Sequence, residues 1–406
     1  MSTFAFGTYR VSDENPLHIE ALKLAIESGV ELIDTSTNYM DGGAERAIAK
    51  AMAGFDQERI NKLKIVSKFG YIQGSNLQKH KEKPFEDVVE FSESCYHSIA
   101  PSFCHQQLTE SLERLKLSQI DCYLIHNPEY FIYESLKKEL PRDAMLDAMY
   151  EKIFKAFVAL EEEVQNGRIN SYGISSNSFA KSANDPEFLP YEDLITLAQK
   201  AAKELGVKEH SFTTIELPIN MLELEGLKKC AAWAKENGLR VLSNRPLNAQ
   251  KDGLMYRLAE YEEPKEYYHA YNELLEVCDT KELKNLYNLV EQMDMNKHKF
   301  GWIGDYDSFL YAQILPHIKK SIEHIQEDVR EILLRYIDTF LRAYRDMVAY
   351  ECSRLTKTAL KEEFKDCNKK MQECALEFLA KQKDIDYVIV GMRKPSYVVE
   401  VMALKA

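Results

Sequence analysis

The stretch Ile120-Asp-Cys-Tyr-Leu-Ile-His126 shows the pattern on which the fold prediction rests, because it is a short apolar run that ends in a polar side chain. Its hydrophobic residues do not alternate strictly with polar ones, which is typical of a parallel strand buried on both faces. Similar runs recur along the chain and alternate with helical patterns. The predicted strands are Thr3–Gly7, Val30–Asp34, Leu63–Lys68, Ile120–His126, Ile169–Ser175, Phe212–Leu217, Leu239–Ser243 and Tyr387–Gly391.

Eight alternating strand and helix units predict an α/β fold closed into a (β/α)8 TIM barrel. The helices carry end signals, as where Asn15–Pro16 predicts the start of the first helix and Gly29 predicts its end. An open doubly wound sheet is the structural alternative. That fold usually places G-x-G-x-x-G after its first strand, whereas this chain continues as Gly7-Thr8-Tyr9-Arg10.

Two stretches exceed a minimal barrel, at about residues 70–100 and 251–368. We expect one domain over residues 1–406 with both stretches as insertions, the second being helical and lying between strand seven and the last helix. Apolar residues at steps of three and four in the second insertion predict one helix face. They are Ile318, Ile322, Ile325, Val329, Ile332 and Tyr336. We expect this stripe to be buried in a helical subdomain or against the barrel; the alternatives are a substrate lid and a homo-oligomer contact.

Composition excludes several classes of partner. The net charge of −13 and the lack of a basic stripe disfavour nucleic acid and anionic membranes. No apolar run is long enough to span a bilayer, and the first residues do not have the pattern of a signal peptide. The eight cysteines show no C-x-x-C or zinc-finger spacing. We therefore expect a cytoplasmic protein with free thiols and no metal site.

Polar residues cluster at the predicted strand ends, where a parallel barrel carries its chemistry. Asp34, Lys68 and His126 end the second, third and fourth strands, and Tyr39 follows in the loop after Asp34. Taken singly, each has an ordinary structural explanation, such as an ion pair, a hydrogen bond at the rim or a packed ring. Taken together, they bring an anion, a cation and two proton donors to one rim.

This set suits the reduction of a carbonyl group, whose oxygen must gain a proton as hydride adds to carbon. A free tyrosine has a pKa of about 10, and a neighbouring ammonium lowers it by favouring the phenolate. We therefore predict that Tyr39 is the general acid, that Lys68 lowers its pKa and that Asp34 holds Lys68. His126, as a neutral ring, would orient the carbonyl oxygen. A cofactor must supply the hydride, because no side chain can.

The same stretches resemble the aldo-keto reductases. The resemblance is carried by Gly7-Thr8-Tyr9, Gly29-Val-Glu-Leu-Ile-Asp34-Thr35, Asn38-Tyr39, Lys64-Ile-Val-Ser-Lys68, Asp121-Cys-Tyr-Leu-Ile-His126, Tyr172-Gly-Ile-Ser-Ser-Asn177 and Val390-Gly-Met-Arg393. It implies a barrel fold, a catalytic tetrad of Asp34, Tyr39, Lys68 and His126, and NADP as cofactor, with NAD as the alternative.

The resemblance also implies a set of cofactor contacts. They are Gly7, Thr8, Tyr9, Ser176, Asn177, Glu216, Asn244, Arg245, Pro246, Leu247, Gly391, Met392, Arg393 and Tyr397. Ser176 and Asn177 match the pair that holds the nicotinamide carboxamide. Four positions depart from the family pattern: Glu216 replaces a common glutamine, Asn244 replaces a stacking aromatic, Tyr397 replaces the arginine that binds the 2′-phosphate, and Val401 replaces the asparagine that contacts the adenine. Arg393 is the expected substitute for that arginine.

The leading hypothesis is an NAD(P)H-dependent reductase of a small carbonyl compound. A second hypothesis is a regulatory protein that binds the cofactor with little or no turnover, which the departures at the cofactor site favour and the complete tetrad opposes. A third is a lyase or isomerase that uses Lys68 as a Schiff base. Asp34 opposes the third, because it would keep the lysine protonated.

Overall fold

The computed structural model describes residues 3–404, and the chain divides into two compact units. The first unit comprises the described parts of Met1–Pro246 and Leu376–Ala406, and the second is Leu247–Ala375. The second unit contains the predicted insertion at 251–368 and extends beyond it at both ends. That the whole chain forms a single domain stays a prediction.

The first unit is a closed barrel of eight parallel strands. They are β1 (Thr3–Gly7), β2 (Leu32–Asp34), β3 (Lys64–Phe69), β4 (Cys122–His126), β5 (Tyr172–Ser175), β6 (Phe212–Pro218), β7 (Arg240–Asn244) and β8 (Tyr387–Gly391). Each pairs with its neighbours in sequence, and β1 pairs with β8 to close the barrel. The barrel prediction is confirmed, and closure rules out the open doubly wound sheet.

Three strands begin two or three residues later than the sequence predicts. β2 begins at Leu32 rather than Val30, and β4 and β5 begin at Cys122 and Tyr172. The predicted first residues of β4 and β5, Ile120 and Ile169, form only an isolated parallel bridge. The C-terminal ends, which carry the site, lie within one residue of the predicted positions.

The helices of the first unit lie between these strands. They are Pro16–Glu27, Gly43–Met52, Gln57–Asn61, Gly74–Glu82, Pro101–Leu115, Tyr130–Lys137, Arg142–Gln165, Leu194–Glu204, Ala232–Glu236 and Pro395–Ala403, with a 3-10 turn at Ser178–Ala180 and a π-helical segment at Leu227–Ala231. The first begins as predicted, since the Asn15 side chain accepts a hydrogen bond from the Leu17 N–H. Gly29, at φ +83°, follows its end.

Residues 70–100 form a small structure beside the rim. Strands Tyr71–Ile72, Val89–Ser92 and Cys95–His97 make an antiparallel sheet, accompanied by helix Gly74–Glu82. This sheet brings two aromatic rings to the end of β4. The Tyr71 ring lies 4.8 Å from the His126 ring, and His97 Nε2 lies 2.7 Å from the His126 carbonyl oxygen.

The second unit is mostly helical. A hairpin of Asn248–Lys251 and Leu254–Arg257 opens it. Its helices are Tyr267–Cys278, Lys284–Asn296, Ile303–Phe309, Leu315–Ile322 and Glu327–Ala359, with a 3-10 turn at Lys297–Lys299 and a π-helical segment at Leu310–Ile314. Helix Met371–Ala380 includes the boundary between the two units in the sequence. The second unit has a buried core of its own, which includes Tyr267, Leu286 and Tyr344.

The prediction that the apolar stripe occupies one helix face is wrong. The helix that contains Ile318 ends at Ile322, and the next begins at Glu327. Ile318 and Ile322 are buried, whereas Val329 and Ile332 are 50% and 57% exposed. The regular spacing continued from the end of one helix into the next, so Ile318 and Ile322 enter the core and Ile325 packs against it, whereas the later residues of the stripe do not. A lid or oligomer role for these later residues stays a prediction.

The expectation of eight free thiols is wrong for one pair. Cys367 and Cys374 form a disulfide, whereas the other six cysteines are free and buried. Spacing alone did not indicate this bond, because the chain between the two cysteines must turn to bring them together.

Among residues 3–404, no helix combines the length and apolar character needed to cross a bilayer.

Candidate active site

Lys68 lies at the centre of the site, at the C-terminal end of β3. It has no exposed surface, and its Nζ donates a hydrogen bond to Asp34 Oδ1. The same nitrogen donates to the Thr35 carbonyl oxygen at 3.1 Å and lies 3.3 Å from Glu216 Oε2. The pairing of Lys68 with Asp34 was predicted. Its second carboxylate, Glu216 from β6, was not.

The Lys68 ammonium and the carboxylates of Asp34 and Glu216 thus form one buried cluster of charged groups. Burial by itself lowers the pKa of Lys68, but the carboxylates of Asp34 and Glu216 outweigh it and hold this pKa above its ordinary value. Burial and the Glu216 carboxylate together raise the pKa of Asp34, against the opposing effect of Lys68. An ammonium held by two carboxylates is a poor nucleophile, which argues against a Schiff base at Lys68.

Tyr39 lies beside this cluster. Lys68 Nζ is 5.5 Å from the centre of the Tyr39 ring, and the His126 ring is 5.9 Å from it. Burial raises the pKa of Tyr39 above its ordinary value, while the Lys68 ammonium lowers it less strongly. As predicted, the Lys68 ammonium acts to lower the pKa of Tyr39. The net effect is nevertheless a raised pKa, because burial and the nearby carboxylates outweigh one ammonium.

His126 ends β4 and is held by a hydroxyl. Its Nδ1 lies 3.0 Å from Ser36 Oγ. Burial lowers the pKa of His126 well below its ordinary value, and the Lys68 charge acts in the same direction. The ring is therefore neutral near pH 7, as its predicted role requires. Ser36 Oγ also lies 2.7 Å from Asn38 Oδ1 and 3.3 Å from the Lys68 carbonyl oxygen, so three acceptors compete for one hydroxyl proton.

The ends of β1 and β5 hold four of the predicted cofactor residues. Gly7 pairs with both Asp34 and Gly391 in the barrel register. The N–H and hydroxyl of Thr8 both donate to the Asp34 carbonyl oxygen, at 3.0 and 2.9 Å. Ser176 and Asn177 follow β5 directly. The rim therefore brings these backbone segments next to the catalytic strands.

Two further predicted contacts lie next to the catalytic residues. Tyr9 is 65% exposed, and its ring packs edge-on against Tyr39 at 5.3 Å. Asn244 ends β7, and its Nδ2 donates to Glu216 Oε1 at 2.9 Å. Ser175 Oγ donates to the same Glu216 oxygen at 3.0 Å. Glu216 is therefore held by both flanking strands and by Lys68, rather than pointing freely into the mouth of the barrel.

The remaining predicted contacts lie at the ends of β7 and β8. Arg245 has a φ of +53° and lies 3.6 Å from Glu223 Oε2, while Pro246 and Leu247 after it are buried. Gly391, the last residue of β8, is exposed, and after it Met392 is buried and Arg393 is partly exposed. Tyr397 lies in helix Pro395–Ala403, with Lys394 Nζ 5.7 Å from its ring centre.

Sequence reasoning missed four residues at this rim. Ser36 Oγ lies beside His126 Nδ1, the Tyr71 ring packs against the His126 ring, and His97 Nε2 lies beside the His126 carbonyl oxygen. Glu129, three residues after His126, accepts hydrogen bonds from the Ser176 and Asn177 segment. A polar residue shortly after a strand end was the available signal for Ser36 and Glu129. Tyr71 and His97 had no such signal, because the inserted sheet positions them.

A metal centre finds no support in the described residues. Among residues 3–404, no group of three or more His, Cys, Asp or Glu side chains is placed to hold a metal ion. Lys68 occupies the space between the two rim carboxylates, Asp34 and Glu216. The charge that a cation would supply there is already supplied by the ammonium.

Comparison with known proteins gives one curated relative and several solved structures. Methylglyoxal reductase YeaE of Escherichia coli (strain K12) is 25% identical over 177 residues, which are 43% of this chain and 45% of that protein. The match therefore spans less than half the length of this curated relative.

The solved structures are more distant in sequence. The glycerol dehydrogenase AKR11B4 of Gluconobacter oxydans is 16% identical, with a TM-score of 0.49 over 99% of this chain and 86% of that one. An aldo/keto reductase of Klebsiella pneumoniae, solved with NADP and acetate, is 13% identical, with a TM-score of 0.47 over 99% of this chain and 85% of that one.

The family model does cover the whole described chain. The model of the Aldo/keto reductase family matches residues 3–404, which include all eight strands, the four rim residues Asp34, Tyr39, Lys68 and His126, and the helical unit. The chain therefore belongs to the aldo/keto reductase family.

Proposed function

We propose that this protein reduces the carbonyl group of an aldehyde or ketone with NAD(P)H, and that Tyr39 is the general acid. One observation carries the proposal. Lys68, ion-paired with Asp34, lies 5.5 Å from the Tyr39 ring centre, and the His126 ring lies 5.9 Å from the same ring. A phenol, an ammonium and a neutral imidazole at one strand-end rim suit proton delivery to a carbonyl oxygen.

The rim also offers acceptors that fit a nicotinamide carboxamide. Glu216 Oε2 and Asn244 Oδ1 are buried and accept no hydrogen bond from the described residues, although Glu216 Oε2 has its ion pair with Lys68. An amide N–H2 group carries two donors and would satisfy such acceptors. Ser176 and Asn177 would complete the contact from β5. When bound, the cofactor supplies the hydride.

The chain's own residues handle the proton. Tyr39 gives its hydroxyl proton to the carbonyl oxygen, and the Lys68 ammonium stabilises the phenolate that remains. Asp34 holds Lys68 in place. His126 donates from Nε2 to the carbonyl oxygen, which requires the Ser36 proton to point at Nδ1. The raised pKa of Tyr39 keeps the acid protonated at neutral pH, as reduction needs.

The test uses Tyr39→Phe, which removes the acidic proton and keeps the ring. We expect kcat for reduction of small aldehydes and ketones to fall by roughly 10²- to 10⁴-fold. The Kd for NADPH, measured by fluorescence titration, should change less than about threefold. Tyr311→Phe makes the same chemical change at a site 72% exposed in the helical unit and should keep wild-type turnover.

A Tyr39→Phe variant that keeps most of its kcat would show that Tyr39 is not the acid. Tight NADPH binding by the wild-type protein, without turnover of any carbonyl compound, would favour the regulatory alternative instead. No binding of either NADPH or NADH would remove the cofactor part of the proposal.

A further inference from the structure

A short chain of hydrogen bonds leads from His126 to the inserted segment beside the rim. His126 Nδ1 lies 3.0 Å from Ser36 Oγ, which lies 2.7 Å from Asn38 Oδ1. Asn38 Nδ2 donates in turn to Gln73 Oε1 at 3.0 Å. Gln73 belongs to the insertion at residues 70–100 rather than to a barrel strand. We call the three side chains between the imidazole and the insertion, those of Ser36, Asn38 and Gln73, the amide relay.

The amide relay controls where the hydroxyl proton of Ser36 goes. A serine hydroxyl has one proton, and an amide has one donor end and one acceptor end. With the Asn38 oxygen facing Ser36, the hydroxyl donates to that oxygen, which is its nearest acceptor at 2.7 Å. Ser36 Oγ can then only accept from the His126 ring. Because that ring is neutral, its single proton lies on Nδ1 in this first arrangement, and Nε2 has none.

A half-turn of both amides reverses the relay. The two ends of an amide have nearly the same shape, so this second arrangement keeps the space that each side chain fills. Gln73 then donates to Asn38, and Asn38 donates to Ser36 Oγ. The Ser36 proton is left for His126 Nδ1, which at 3.0 Å is nearer than the Lys68 carbonyl oxygen at 3.3 Å. The ring proton of His126 then lies on Nε2.

The far end of the relay accepts either arrangement. Gln73 has a side-chain hydrogen bond with the Cys95 thiol, and a thiol can both donate and accept. Gln73 therefore keeps a partner whether its nitrogen or its oxygen faces Asn38. Asn38 must in turn present the complementary end to Gln73, so the group at position 73 selects between the two arrangements.

We propose that Gln73 is a positioning residue which, through Asn38 and Ser36, sets which ring nitrogen of His126 carries the proton. The inference rests on the proposed function, because donation from Nε2 to a carbonyl oxygen requires the second arrangement. A carbonyl oxygen has no proton to offer, so Nε2 without a proton would make no hydrogen bond to it.

The experiment measures the tautomer of His126 at pH 7 in the full-length protein labelled with ¹⁵N-histidine. The His126 signals are assigned by their absence from His126→Asn. Gln73→Glu replaces the amide with a carboxylate that can only accept, so Asn38 must point its nitrogen at position 73 and its oxygen at Ser36. We expect the ring proton on Nε2 in the wild type and mainly on Nδ1 in Gln73→Glu. The kcat for carbonyl reduction should fall about tenfold in this variant.

Two further variants serve as controls. Gln78→Glu makes the same chemical change at an exposed side chain in helix Gly74–Glu82 of the same insertion. It should keep the wild-type tautomer and kcat, which separates the relay from the added charge. Gln73→Leu removes both polar ends and leaves Asn38 able to turn. It should keep the proton on Nε2 with kcat within about threefold of wild type, which separates an imposed direction from a lost contact.

A folded Gln73→Glu variant that keeps the ring proton on Nε2 would overturn the inference and leave the proposed function intact. If this variant does not fold, Asn38→Asp replaces it, because a carboxylate facing Ser36 takes the hydroxyl proton; a proton retained on Nε2 again counts against the inference. A ring proton on Nδ1 in the wild type, or one that moves there without loss of kcat, would overturn both the inference and the donor role of His126. A wild-type protein that reduces no carbonyl compound contradicts the proposed function itself.

Discussion

Replacing Glu216 with glutamine tests whether the second carboxylate at Lys68 controls the acidity of Tyr39. Glu216 Oε2 lies 3.3 Å from Lys68 Nζ, which lies 5.5 Å from the Tyr39 ring centre. The carboxylate oxygen is therefore within about 9 Å of the ring centre. At that distance, with an effective dielectric constant of about 20, one charge interacts with another by about 2 kcal/mol. Removing it should lower the pKa of Tyr39 by about one unit or more.

The sign follows from the groups that surround Tyr39. Burial is the largest cause of its raised pKa, Lys68 opposes it, and the Asp34 and Glu216 carboxylates add to it. Glu216→Gln removes one of the charges that disfavour the phenolate. Reduction uses the phenol and oxidation of the alcohol uses the phenolate. The variant should therefore gain oxidation rate at mildly alkaline pH, whereas reduction at pH 7 should change less than about threefold, because the phenol remains protonated.

The assay is the pH profile of kcat for alcohol oxidation at saturating cofactor, from pH 7 to 10. We expect the rising limb of Glu216→Gln to lie about one unit or more below that of the wild type. The shift is a better measure than the rate at one pH, since a phenolate of lower pKa is also a weaker base. Ser175→Ala is the control: it removes a hydrogen bond to Glu216 and keeps the charge. An unchanged or upward-shifted limb in Glu216→Gln, with cofactor binding retained, would refute the electrostatic reasoning.

The remaining predictions concern cofactor choice, the imidazole and the thiols. NADPH should bind better than NADH, and Arg393→Ala should remove roughly 1.5–3 kcal/mol of that preference; equal or tighter NADH binding by the wild type would contradict this. For His126, ¹⁵N chemical shifts should show a neutral ring with its proton on Nε2 from pH 6 to 8, because the pKa is lowered well below its ordinary value. Ser36→Ala should raise the Nδ1-protonated fraction and lower kcat by roughly three- to tenfold, and a proton on Nδ1 in the wild type would rule out donation from Nε2. Thiol titration in denaturant without reductant should find six free thiols, and eight would exclude the disulfide between Cys367 and Cys374.

The sequence was sufficient for the barrel and for the pairing of Lys68 with Asp34. Both depend on local patterns: strands buried on two faces read as short apolar runs, and parallel strands bring their C-terminal ends to one rim. His126 and Tyr39 lie at the same rim for the same reason, and the centres of their two rings are 5.9 Å apart. Their chemical roles stay predictions, since the experiments on Tyr39 and His126 decide them.

Only the tertiary structure decided which partners these side chains take. Glu216 points to Lys68 because the register of β6 between β5 and β7 aims it into the barrel, where Ser175 and Asn244 hold it. Val329, Ile332 and Tyr336 are exposed because the helix that buries Ile318 and Ile322 ends at Ile322, and spacing does not report where a helix ends without a strong stop signal. Sequence periodicity fixes which face of an element is apolar. Register, helix breaks and burial are set by contacts between residues far apart in the chain, and these turned a predicted lowering of the Tyr39 pKa into a net rise.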